Sequence, residues 1–79
     1  MISYAVQLAT RYDGLVIASF PDLPGVSALG RDDEEAIGEA RRALEDALAG
    51  YVRDGMTPPA ANARGAVSVS VARPMPLPA

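Results

Sequence analysis

Ten carboxylates and seven cationic side chains make up the charged inventory of this 79-residue chain. Cys and His are absent, and every positive charge is an Arg. Thiol nucleophiles, imidazole bases, zinc fingers and disulfides are therefore excluded. So are Schiff-base lysines and Walker-type phosphate loops. The chemistry left to the carboxylates is acid–base or two-metal catalysis, and the latter needs groups converging on metals ~3.5–4 Å apart. Their positions argue against it. Asp13 falls in a turn and Asp22 in a loop. Asp32, Asp33, Glu34 and Glu35 form one run ahead of a helical pattern, and Glu39, Glu45, Asp46 and Asp54 lie on or just beyond that helix. None sits in a predicted strand. Ser68 and Ser70 have no base to activate them. No enzyme, metal or cofactor is expected.

The net charge of −3 and pI near 4.6 disfavour capture of nucleic acid, which requires clustered positive charge. An acidic domain of this size is suited to a basic protein partner. The start MISYAVQLATRYDG has no basic segment followed by an apolar run, and no stretch approaches the ~20 apolar residues of a membrane span. A cytoplasmic location with no membrane contact is the expectation.

Positioning falls to a few short elements. Residues 2–10 alternate, with Ile2, Tyr4, Val6 and Leu8 on one face and Ser3, Ala5, Gln7 and Ala9 on the other, the period of a strand. Arg11–Gly14 supplies a turn in which Asp13-Gly14 offers positive φ. Leu15–Phe20 follows as a second strand, apolar on both faces. Pro21 ends it, PDLPG (21–25) makes a stiff loop, and Val26–Leu29 forms a short third strand. Asp32 followed three residues later by Glu35 resembles a capping box, and DDEE places four carboxylates at the positive end of a helix. Ile37, Ala40, Leu44, Ala47, Leu48 and Tyr51 form its apolar stripe. Arg41–Glu45 and Arg42–Asp46 are spaced as ion pairs on the solvated side. Gly38 and Gly50 inside the helix suggest close packing. Arg53 and Gly55 mark its end.

Residues 56–65 form a loop rich in prolines and small side chains. Ala66–Ala72 alternates as a fourth strand, and a proline-rich tail, 74–79, follows the 1–73 domain. The fold class is α+β in the order β-β-β-α-β, a small sheet with one helix on one face. The link from the third strand through the helix to the fourth is long enough for a crossover. A helix of ~22 residues reaches about 33 Å, against about 20 Å for a six-residue strand. The helix is thus expected to overhang, leaving Tyr51 and Val52 to a tail or partner. Together with the uncovered sheet face, this points to a homodimer or higher oligomer.

Tyr4-Ala5-Val6, Asp13-Gly14, Ser19-Phe20-Pro21-Asp22-Leu23-Pro24-Gly25, Gly30 and Glu35-Ala36 opening an Ala-rich helix resemble the N-terminal domain of the HicB antitoxin family. Gly55-Met56-Thr57-Pro58-Pro59 also fits that pattern, so the resemblance spans about residues 3–72. It implies a partial ribonuclease-H-like fold without nuclease function. It also implies a binding protein that neutralises a HicA-type basic, mRNA-cleaving toxin by covering its active site. Family members usually add a C-terminal DNA-binding domain; this chain stops at Ala79, so operator binding is not carried over. Where the family has Thr or Ser at the helix start, this chain has Asp32, and Val26 stands where a Cys is usual. The residues expected to face the partner, by location and charge, are Tyr12, Asp13, Phe20, Asp22, Leu23, Asp32, Asp33, Glu34 and Glu35. The alternative is an orphan regulatory or structural module of the same fold with no cognate toxin.

Overall fold

The computed structural model describes residues 2–62, 65 and 67–71. The 74–79 tail lies outside the described residues. Strands β1 (Ile2–Thr10), β2 (Val16–Ser19) and β3 (Ser27–Gly30) precede helix α1 (Asp33–Arg53), and β4 (Val67–Val71) follows it. The four strands form one sheet in the order β3-β2-β1-β4, every neighbour antiparallel. The α+β class and the β-β-β-α-β order therefore hold, with ends trimmed by a residue or two.

The alternation in β1 decides how the sheet is built. Ile2–Val6 pairs with β4, and Gln7–Thr10 pairs with β2, so β1 serves two partners along successive halves. Tyr4, Val6, Val16, Ala18, Phe20, Val69 and Val71 are buried on one face and meet Ala36, Ala40, Leu44 and Leu48 of α1. Cross-strand partners share a face, which assigns Ser3, Ala5, Gln7, Ala9, Ile17, Ser19, Ser27, Leu29, Ser68 and Ser70 to the other. That second face is mostly small or polar. Ser3 and Ser70 hydrogen-bond through their hydroxyls at 2.5 Å, while Ile17 and Leu29 supply its larger apolar groups.

The turns follow from their glycines. Gly14 has φ +86°, Arg11 exchanges main-chain bonds with Leu15 and Gly14, and Asp13 Oδ1 accepts the Leu15 N–H at 3.1 Å. This is a three-residue hairpin loop in which Gly14 alone takes positive φ, and Asp13 acts through its side chain. In the next loop the Val26 N–H returns to the Leu23 carbonyl across Pro24-Gly25, with Gly25 at φ +89°, the pattern of a type II turn. The helix ends as its sequence demands. Gly55 donates to Val52 and Met56 to Tyr51 with Gly55 at φ +70°, a complete Schellman motif.

Three expectations need correction. The helix is less outsized than expected: its 21 residues span about 32 Å, against about 30 Å for nine-residue β1. Tyr51 is half-buried against the core rather than stranded. Arg41–Glu45 and Arg42–Asp46 do not pair among the described residues, where Arg42 instead reaches back to Glu39 at 3.8 Å. An acid placed N-terminal to its base suits the helix dipole better than the reverse order. Gly38 is exposed, and a Cβ there would meet nothing within 4 Å, so close packing does not explain it. Gly38→Ala should accordingly raise stability by about 0.5–1 kcal/mol, read as a higher denaturation midpoint at unchanged slope.

A helical crossover ordinarily returns a parallel strand. Here β3 and β4, at opposite edges, run in opposite senses. The long segment after Gly55 makes this possible, delivering the chain to Val67 opposite Val6, midway along β1. Fully buried Tyr4 donates its hydroxyl to the Pro59 carbonyl at 2.6 Å and so anchors that segment.

Candidate functional site

The register divides the expected partner-facing residues between two ends of the sheet. Thr10, Val16 and Gly30 lie abreast across three strands. The hairpin tip carrying Tyr12 and Asp13 therefore opens at the same end as the segment that runs from Gly30 into α1. Asp22 belongs to the loop between Ser19 and Ser27, at the opposite end of β2. Phe20 and Leu23 leave the surface altogether. At 3% and 1% exposure they are core residues, and the expectation that they face a partner is corrected. An apolar side chain flanking a tight turn gains more by filling the core than by remaining in water.

The first end is an exposed surface with fixed anchors. Tyr12 is 98% exposed, with the Arg11 guanidinium 6.0 Å from its ring centroid. Arg11 also pairs with Asp13 at 2.9 Å. Asp32 caps α1 from an extended conformation, its Oδ1 accepting the Glu35 N–H at 2.8 Å. The return bond of the capping box is displaced by one residue, because Glu35 Oε1 accepts the N–H of Arg31 and not that of Asp32. Arg31 adds its guanidinium through Nη2 at 3.1 Å and Nε at 3.3 Å.

The Arg31 side chain, and after it the Arg31 main-chain N–H, hold the Glu35 carboxyl below the ordinary Glu value; the side-chain bond to Glu35, and after it the Glu35 charge, raise Arg31. A carboxyl depressed in the folded state stabilises fully above its unfolded pKa, and this is lost as pH falls through the folded one. Lowering the pH from about 5 to 3 should therefore weaken the wild-type chain more than Glu35→Gln, as denaturation midpoints would show. Because the pair is exposed, the difference should be modest.

The end as a whole carries Asp13, Asp32, Asp33, Glu34 and Glu35 against Arg11 and Arg31: five acidic groups less two basic gives −3. The positive pole of α1 is thus covered by the chain's own carboxylates. Among the described residues no group of three acids could hold a metal, and no helix is long and apolar enough to cross a membrane. A shallow hollow of about 560 Å³ lies on the sheet face away from α1, between Gln7, Ala9, Ile17, Ser19 and Gly65.

No protein-family model matches the chain, and no curated protein matches it in sequence.

Sequence reasoning placed Asp13, Asp32 and Glu35 by turn and cap chemistry. It missed Arg31, which both braces Glu35 and dilutes the acidity. The cue was present, since Arg31 and Glu35 stand four apart, but the pair bridges the helix boundary instead of lying inside it.

Proposed function

We propose that this chain is a HicB-like antitoxin domain, a partial ribonuclease-H-like unit that binds a basic, mRNA-cleaving toxin of the HicA type and covers its active site. It would act in the cytoplasm, without catalysis of its own. The observation that carries the reading is the acidic end of the sheet, where an exposed Tyr12 stands beside Asp13 and the Asp32–Glu35 turn. A toxin that binds RNA presents cationic groups for phosphate, and carboxylates facing them speed encounter and compete with that phosphate. An exposed aromatic at the tip of a braced hairpin supplies the kind of anchor that dominates interface energies. The contact surface is accordingly narrowed to Tyr12, Asp13 and Asp32–Glu35, with Asp22 outside it.

The test is co-expression with the adjacent reading frame, where a short basic protein is expected. Relief of growth arrest and a co-purifying complex would support the reading. Asp33→Arg with Glu34→Arg should abolish relief while the fold is retained, and Asp22→Arg should leave it intact. If neither relief nor complex is found, the antitoxin reading fails and the orphan module takes its place.

A further inference from the structure

No further inference is drawn: the strongest candidate, the shallow hollow on the sheet face away from α1 between Gln7, Ala9, Ile17, Ser19 and Gly65, is an unpartnered stretch of that face, and nothing in the structure shows what covers it.

Discussion

Gly30→Ala should cost about 3 kcal/mol, the upper end for forcing added volume into a packed site. A Cβ at Gly30 would stand 2.2 Å from the Ala36 nitrogen and 2.7 Å from its Cα. Both are main-chain atoms in the first turns of α1, so no side chain can swing aside. The helix would have to lift from β3 at the point where Ala36 is fully buried. Gly30 does not adopt positive φ, so the cost is steric and not conformational. In a domain of this size, whose total stability is of order 5 kcal/mol, the melting temperature should fall by roughly 15–20 °C. The same substitution at exposed Gly38 should act with the opposite sign. A pair of thermal melts separates the two, and a tolerated Gly30→Ala would mean that α1 does not approach β3 this closely.

Leu23→Ala should cost a similar amount, about 3 kcal/mol, within the range for emptying a buried leucine site. Leu23 is 1% exposed, and its backbone joins both turns of the loop, donating to the Phe20 carbonyl and accepting from the Val26 N–H. Its side chain thus ties FPDLPG into the core beside Phe20. Urea denaturation should show a lower midpoint with an unchanged slope. Were stability retained while partner binding was lost, Leu23 would be a contact residue and its place in the core would be wrong.

What was legible in the sequence follows from how locally each feature is determined. Gly14, Pro24-Gly25 and Gly55 shape their turns through φ, and Asp13 through its side chain, so the hairpin, the stiff loop and the helix stop could be read directly. The cap needed only Asp32 and Glu35 three apart. The sense of β4 was not legible, because a connector as long as 56–66 permits either direction and the antiparallel pairing of Val67–Val71 with Ile2–Val6 is made between residues more than 60 positions apart. The character of the uncovered face was half legible. Alternation set Ser3 and Gln7 of β1, and Ser68 and Ser70 of β4, opposite the apolar residues of their strands, but Leu15–Phe20 was apolar on both sides, and only the register shows that Ile17 shares a face with those polar residues. For the same reason the nine partner-facing residues looked like one rim. Sequence order sets Asp22 midway between Asp13 and Asp32, while antiparallel pairing of β2 sends it to the far end.

Titration calorimetry of this chain against the purified basic product of the adjacent frame, at low and moderate salt, tests the central claim most directly. A saturable complex that weakens as salt rises is expected, with Asp33→Arg plus Glu34→Arg lowering affinity by at least tenfold and Asp22→Arg leaving it unchanged. Absence of binding, or binding indifferent both to salt and to the acidic turn, would contradict it.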